Sequence, residues 1–296
     1  MESNLSKLKE HEMVKAFIEK YKIDDETLLK NQLVLERFIS QFVFCNTNEK
    51  MALCKQIIPG VQQKLSYKNK QFYITSSNCN HWIFENQDYK LEKNIVYADY
   101  DIFENTQTLD EFVKANKDKL VENANFFNAA KKILMEKEKT KGLYLYGLPG
   151  IGKTFYMKIL ANTFAKMDRK VVLVTVNKLI KIVKDTFNQN SSEENNRFFD
   201  QCCKVDVLIL DDIGAEMVTD WSRDELLFGL LNTRMENNKL TFFTSNFPIH
   251  QLEDFYLNKR VTANQKDFEK MKTIRFTERI KGLSYEIEIK GKNHRY

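Results

Sequence analysis

One short segment constrains the fold of this chain more than any other. Residues 147–154 fit the pattern G-x-x-x-x-G-K-[ST] at every fixed position and read Gly147, Leu148, Pro149, Gly150, Ile151, Gly152, Lys153 and Thr154. An apolar segment, 142–146, precedes it, and a helical pattern over 153–167 follows it. A strand, a glycine-rich turn and a helix in this order are typical of a phosphate-binding loop, in which backbone N–H groups face phosphate oxygens. We therefore predict an ATP site in which Lys153 contacts the β and γ phosphates and Thr154 binds Mg²⁺.

The second half of the chain alternates apolar strands with helices. Strands are predicted at 142–146, 171–176, 205–210, 240–245 and 285–289, with helices at 153–167, 178–187 and 222–235 between them. The last of these helices is predicted to begin with a capping box formed by Ser222 and Glu225. Such alternation predicts an α/β fold whose parallel sheet is covered by helices on both faces.

Polar residues follow two of these strands. Asp211 and Asp212 end the strand 205–210, and Asn246 ends the strand 240–245. We predict that Asp211 binds Mg²⁺, that Asp212 polarises the attacking water, and that Asn246 positions this water. An asparagine that starts the turn before Phe247 and Pro248 is the alternative for Asn246.

The composition is that of a globular protein, with 43% apolar and 29% charged residues. No apolar run approaches the roughly 20 residues that cross a bilayer, and the N-terminus lacks the apolar core of a secretory signal, so we expect a cytoplasmic protein without a membrane partner. The net charge of +5 leaves a nucleic-acid partner open without requiring one. The first ninety or so residues are predicted to form helices followed by a hairpin, with strands at 64–67 and 71–75. We predict an N-terminal domain over 1–95, a connector over 96–122 and an ATPase domain over 123–296.

Several segments together resemble the AAA+ ATPases that load the replicative DNA helicase. They are GLYLYGLPGIGKT, VLILDDIGAE, WSRDE, TFFTSNF and TERI, and the likeness extends from residue 142 to the C-terminus. The resemblance implies an AAA+ core in which the strand ending at Asn246 lies between the strand before the phosphate loop and the strand ending at Asp211. It also implies ATP hydrolysis and delivery of the replicative helicase onto single-stranded DNA, with the helicase bound by the N-terminal domain. Asp212 stands where glutamate is commoner, so we expect slow turnover. The alternatives are a transposase-assisting ATPase of the same fold and a non-hydrolysing adaptor that binds ATP only to hold a shape.

The resemblance implies two further sets of residues in the ATPase domain. Arg279 corresponds to the arginine finger that reaches the γ-phosphate of a neighbouring subunit, so the chain is expected to self-associate through this domain. Arg275 could take this role, and a surface arginine paired with Glu278 or Glu286 is the alternative. The helix after the second strand of this domain is implied to lie near single-stranded DNA through Lys178, Lys181 and Phe187. A basic helix face that contacts only solvent is the alternative for these three residues.

Members of this family carry a zinc site in the N-terminal region, and the chain has four candidate ligands there: Cys45, Cys54, Cys79 and His81. Three thiols and an imidazole could make a tetrahedral set. The usual C-x-x-C spacing is absent, because Asn48 stands where a second cysteine would complete it with Cys45. We therefore expect that apolar packing, rather than zinc, stabilises this domain.

Overall fold

The computed structural model describes residues 2–86, 88–116, 120–136, 141–188, 192–257 and 266–293, without the side chains of residues 2–4, 186–188 and 192–196. Contacts divide the chain into two compact units, Met1–Tyr89 and Lys90–Tyr296. Residues 96–122, predicted as a connector, lie within the second unit. None of the helices in the described ranges has the length and apolar character needed to cross a membrane.

The first unit packs short helices against one hairpin. It contains α1 (Glu2–Glu10), α2 (Glu12–Tyr21), α3 (Asp25–Lys30), α4 (Gln32–Gln41), β1 (Val61–Lys68), β2 (Gln71–Asn78) and α5 (Asn80–Glu85). The two strands pair antiparallel, which confirms the predicted hairpin with longer strands. Asn69 and Lys70 both have positive φ in the two-residue turn, as the tightest hairpin turns require. Leu28, Leu35, Phe38, Leu65 and Phe72 belong to the apolar core that joins helices and hairpin.

The second unit is a six-stranded parallel sheet with helices around it. Its strands are β3 (Ile95–Ala98), β4 (Gly142–Tyr146), β5 (Val171–Thr175), β6 (Val207–Asp211), β7 (Leu240–Ser245) and β8 (Ser284–Glu288). Its helices are α6 (Tyr89–Asn94, at the boundary), α7 (Leu109–Ala115), α8 (Ala124–Met135), α9 (Lys153–Lys166), α10 (Val176–Asn188), α11 (Ser192–Lys204), α12 (Phe228–Glu236), α13 (Ile249–Tyr256) and α14 (Lys266–Leu283). The five strands predicted from sequence are confirmed within a few residues, and the parallel α/β fold class is confirmed with them.

The strand order is β3-β5-β6-β7-β4-β8. β7, which ends before Asn246, therefore lies between β4 and β6, as the resemblance implied. Two apolar cores cover the sheet, one on each face, because alternate residues of the central strands point to opposite sides. Sequence reasoning missed β3, a short edge strand that pairs with β5. Three of its four residues lie in the predicted connector, 96–122, and Ile95 is the last residue of the predicted N-terminal domain.

The predicted capping box at Ser222 was wrong. A π-helical segment, Trp221–Leu227, precedes α12, and Ser222 lies inside it. The Ser222 hydroxyl pairs with Thr219, accepting a hydrogen bond from the Thr219 backbone N–H at 2.9 Å and donating one to the Thr219 carbonyl oxygen at 2.9 Å. A hydroxyl that bonds to a residue before the helix is not available to the N–H groups of the first turn, so Glu225 has no cap to complete.

Candidate nucleotide-binding site

A cavity opens at the carboxyl ends of β4, β5, β6 and β7. It has a volume of about 340 Å³ and is lined by Pro149, Gly150, Gly152, Lys153, Thr154, Thr175, Asp211, Asp212, Thr244 and Asn246. Carboxyl ends of parallel strands meet at one edge of the sheet, which is where open α/β sheets bind ligands. Residues that are up to about a hundred positions apart in sequence therefore line one cavity.

The phosphate-loop backbone has the conformation that its glycines allow. Gly150 and Gly152 have φ of 83° and 96°, in the left-handed region that side chains with a Cβ rarely adopt. The helix α9 begins at the next residue, Lys153, so its N-terminal N–H groups face the cavity. The Lys153 ammonium is buried and donates to the carbonyl oxygens of Gly147 and Leu148 at 2.8 and 2.9 Å. The positive charge is thus held over the loop, at the place where phosphate oxygens would need it.

Thr154 and Asp211 contact each other across the cavity. The Thr154 hydroxyl lies 3.0 Å from both carboxylate oxygens of Asp211. Asp211 also accepts a hydrogen bond of 2.5 Å from the Thr244 hydroxyl. Burial raises the pKa of Asp211, and the hydrogen bonds from Thr244 and Thr154 oppose this rise. An oxygen-rich, buried site of this kind suits a hard divalent cation such as Mg²⁺.

Asp212 and Asn246 form a second pair beside the first. The Asn246 amide donates to Asp212 Oδ1 at 3.3 Å, and its Oδ1 accepts from Lys153 Nζ at 2.9 Å. Asp212 has φ of 58°, a left-handed conformation that aspartate tolerates better than most residues. The carboxylate, the amide and the ammonium therefore form one connected group. The alternative role of Asn246, starting a turn, is compatible with these contacts, and the catalytic roles of all these residues stay predictions.

Thr244 was not predicted as a site residue. Besides its bond to Asp211, its hydroxyl accepts the backbone N–H of Asp212 at 2.8 Å, so it holds both acidic residues. The only sequence signal was a hydroxyl residue two positions before Asn246 at the end of an apolar strand. Threonine is common in strands, so its presence here indicates a site residue only when β7 is known to lie beside β6.

Arg279 is not among the residues that line the cavity. Its guanidinium donates to Asn232 Oδ1 at 2.9 Å and lies 5.3 Å from the centre of the Phe228 ring. Arg275 stacks on the same ring at 5.1 Å. Neither Glu278 nor Glu286 is the partner found for Arg279, since Glu278 pairs with Lys281 and Glu286 accepts the backbone N–H of Ile249. The two arginines thus lie together on α14, half-buried or exposed.

The residues predicted to contact DNA are on α10. Lys178 and Lys181 are both exposed there. One turn further, the ammonium of Lys184 lies 5.8 Å from the centre of the Trp221 ring. The side chain of Phe187 lies outside the described part of the chain. The two described lysines could neutralise phosphates, which is a property they share with any basic helix face.

Three of the four candidate zinc ligands of the first unit converge, and the fourth, Cys54, lies beside one of them. Cys45, Cys79 and His81 place one ligand atom each within 4.8 Å of one another. Cys45 Sγ lies 3.1 Å from His81 Nδ1, and Cys54 Sγ lies 3.7 Å from Cys79 Sγ. The hairpin produces this arrangement, because it returns the chain from Gly60 to Cys79, whose N–H donates to the Gly60 carbonyl oxygen at 2.8 Å. The missing C-x-x-C spacing therefore does not keep the ligands apart.

Comparison with known proteins gives consistent relatives. The family described as the bacterial DnaA ATPase domain matches residues 103–266. The replicative helicase loader DnaI of Bacillus subtilis (strain 168) is 28% identical over 301 residues, which cover 100% of this chain and 93% of that protein. The replicative helicase loader DnaC of Buchnera aphidicola subsp. Baizongia pistaciae (strain Bp) is 27% identical over 115 residues, 39% of this chain and 46% of that protein. A crystal structure of DnaI is 34% identical, with a TM-score of 0.55, and covers 70% of this chain and 100% of that chain.

Proposed function

Because this chain belongs to the AAA+ helicase loaders, with a bacterial DnaA-type ATPase domain, we propose that it delivers the replicative DNA helicase onto single-stranded DNA in an ATP-dependent reaction. The observation that carries the proposal is the shared cavity of Lys153, Thr154, Asp211, Asp212 and Asn246. The similarity to two helicase loaders favours this function over transposase assistance.

ATP binds with its phosphates over the loop 147–154. Lys153 leaves the carbonyl oxygens of Gly147 and Leu148 and pairs with the β and γ phosphates, since a phosphate offers the ammonium a full negative charge. Thr154 and Asp211 would hold Mg²⁺, which would supply positive charge to neutralise the phosphates. Thr244 keeps Asp211 oriented and ionised through its hydrogen bond.

Asp212 and Asn246 act on the attacking water. Asp212 accepts a proton or polarises the water, and Asn246 orients it against the γ-phosphate. The contact between the two side chains gives the water a fixed pair of partners. Turnover is slow, because the shorter aspartate stands where a glutamate would reach further toward the phosphate. The presence of both carboxylates, Asp211 and Asp212, argues against a non-hydrolysing adaptor.

A neighbouring copy of the chain completes the site. No arginine is among the residues lining the cavity in the described chain, while Arg279 and Arg275 lie together on α14 with their guanidinium groups on one aromatic ring. A guanidinium from the next subunit stabilises charge on the transferred phosphoryl group, so the chain self-associates through the ATPase domain.

Lys178 and Lys181 contact the backbone of single-stranded DNA. Both side chains are exposed on α10 and close in sequence to Thr175, which lines the nucleotide cavity. A bound nucleotide can therefore alter the helix that faces DNA. The predicted contact of Phe187 lies outside the described side chains.

The N-terminal domain over 1–95 contacts the helicase and holds zinc. Cys45, Cys79 and His81 place their ligand atoms within 4.8 Å of one another, so small side-chain movements would bring them to the spacing of about 3.3–3.8 Å between the ligands of one tetrahedral zinc. Cys54 completes a Cys₃His set from its position beside Cys79. The zinc would fix the loop 45–54 to the hairpin, a structural role that contributes folding energy.

A loading assay tests the function. The helicase of the same organism is offered circular single-stranded DNA with this chain and ATP, and helicase that stays bound to the circle is measured after removal of free protein. We expect loading with the wild type and none with Lys153→Ala. Loading that is equal with and without this chain would reject the proposal.

A further inference from the structure

The turn that follows β6 contains a buried carboxylate with neutral partners. Glu216 is 3% exposed. One of its oxygens accepts the backbone N–H of Gly214 at 2.8 Å, and the other accepts the hydroxyl of Tyr256. Burial raises the pKa of Glu216. No ion pair of Glu216 is found within the described ranges, and a buried carboxylate without one costs folding free energy, so stability alone gives no reason for this residue. What it does is fix the turn that begins at Asp212.

Tyr256 passes this contact to a buried arginine. Its carbonyl oxygen accepts from Arg223 Nη1 at 3.0 Å, and Arg223 is 0% exposed. The same guanidinium contacts Asp224 at 2.5 and 2.7 Å and Glu269 at 2.9 Å. Paired charges in a low-dielectric interior resist separation, because a partner left alone would be a buried unpaired charge. The group Glu216, Tyr256, Arg223 and Glu269 is therefore a rigid connection, which we term the buried relay.

The far end of the buried relay is the helix that carries the two arginines. Glu269 lies in the first turn of α14, and Arg279 follows ten residues later, about 15 Å along the same helix. Phe228, on which Arg275 and Arg279 both stack, directly follows the π-helical segment that contains Arg223. Arg223 is thus linked to α14 in two ways. Its guanidinium pairs with Glu269, and Phe228, which follows its segment, contacts the two arginines of α14. A movement of the Asp212 turn can therefore be transmitted through these contacts to Arg275 and Arg279.

We propose that Glu216 is a positioning residue for ATP hydrolysis: the buried relay makes the conformation of the Asp212 turn and the placement of the α14 arginines depend on each other. The hydrolysis part of this inference rests on the proposed ATPase function. Nucleotide bound at the Asp212 end of the buried relay then determines the position of the arginines that the chain presents to its neighbour. Glu216 contacts neither phosphate nor water in this scheme and acts through the turn.

The chain offers its own reporter of this coupling. It has two tryptophans, and one of them, Trp221, lies in the π-helical segment two residues before Arg223. In a Trp82→Phe background, Trp221 fluorescence is recorded while ATP and Mg²⁺ are added. Glu216→Gln and Tyr256→Phe each remove the charge-assisted hydrogen bond between the turn and α13, the first by neutralising the acceptor and the second by deleting the donor, while keeping side-chain size. Thr163→Val is the matched control, since it also removes a buried hydroxyl with two partners but lies on α9, away from the relay.

We expect ATP to change Trp221 fluorescence in the parent and in the Thr163→Val control. In Glu216→Gln and Tyr256→Phe the change at saturation should fall by at least about half, with the Kd for ATP within about twofold of the parent. Their kcat should fall about tenfold, and the double variant should be no worse than either single one, because both remove the same contact. If Glu216 had only a structural role, its substitution would lower the melting temperature but would not lower kcat while leaving the Kd for ATP unchanged.

The fluorescence measurement does not depend on hydrolysis, so it separates the two proposals. A parent that binds ATP without hydrolysing it rejects the ATPase function, and the fluorescence change still decides whether the relay couples its two ends. The relay is rejected if ATP binds to the parent without altering Trp221, if both variants keep the full change, or if affinity for ATP is lost together with it. Should Tyr256→Phe fail to fold, Glu216→Gln decides alone.

Discussion

Replacing Thr244 by valine should separate magnesium binding from nucleotide binding. The Thr244 hydroxyl donates to Asp211 at 2.5 Å and accepts the N–H of Asp212 at 2.8 Å. Valine keeps the shape of the side chain and removes both bonds. The backbone N–H of Asp212 then loses its partner in a part-buried position, and the carboxylate of Asp211 loses the strongest hydrogen bond that favours its ionised form.

The size of the effect follows from these two losses. A hydrogen bond to a charged group contributes about 1.5–3 kcal/mol, and an unsatisfied buried donor costs about 1–3 kcal/mol. Allowing for partial relaxation, we expect the free energy of unfolding to fall by about 3 kcal/mol, which corresponds to a decrease in Tm of about 6–12 °C. The pKa of Asp211, already raised by burial, should rise further in the variant. Because Mg²⁺ needs the ionised carboxylate, the affinity for Mg·ATP should fall by about tenfold or more, and the deficit should grow as the pH falls.

The raised pKa also has a consequence for the magnesium-free protein. The folded state holds the Asp211 proton more tightly than the unfolded chain does, so this group destabilises the fold once both states are ionised. The destabilisation by Asp211 therefore decreases as the pH falls through the raised pKa of the folded state. It is absent below the ordinary pKa of an aspartate in the unfolded chain. Stability and magnesium binding should respond to pH in opposite directions at this site.

Titrations of a fluorescent ATP analogue at several Mg²⁺ concentrations and pH values measure the effect. Thr241→Val is the control, because Thr241 is a buried threonine at the other end of β7 whose hydroxyl bonds to Arg234 and to the carbonyl oxygen of Lys239. Both variants should lose stability, and only Thr244→Val should need more Mg²⁺. An equal magnesium dependence of the two variants would refute the reasoning.

Four further predictions concern the two sites. Lys153→Ala should abolish tight ATP binding, measured with the same analogue, and unchanged affinity would mean that the loop is not the nucleotide site. Asp212→Asn should keep ATP binding but stop phosphate release, because an amide accepts no proton from water; normal turnover would remove Asp212 from catalysis. Arg279→Ala should bind ATP and hydrolyse it poorly, and mixing it with Lys153→Ala should restore activity; without restoration, Arg275 becomes the candidate. Elemental analysis should find about one zinc per chain, with a lower Tm after chelation, whereas a metal-free protein of unchanged Tm would restore apolar packing as the explanation.

Local sequence patterns encode several parts of this protein. The glycines and the Lys-Thr pair of the phosphate loop are contiguous, and their backbone conformation follows from residue type, so the loop was predictable residue by residue. The strands β4, β5, β6 and β7 were also predictable, because short, near-continuous apolar runs are typical of parallel strands buried on both faces. The family resemblance added the strand order, which neither periodicity nor spacing determines.

Contacts between residues that are distant in sequence depend on how the elements pack. Thr244 reaches Asp211 because β7 lies beside β6, and Arg223, which lies between the two residues of the predicted capping box, is buried against Glu269. The zinc candidates illustrate the same point, since their spacing argued against a site, whereas the fold brings Cys45, Cys79 and His81 within 4.8 Å of one another. Sequence spacing controls contacts only within a helix turn or a strand pair. Contacts between elements depend on the order and direction in which they pack, and that information lies in the sum of many weak apolar interactions rather than in any one motif.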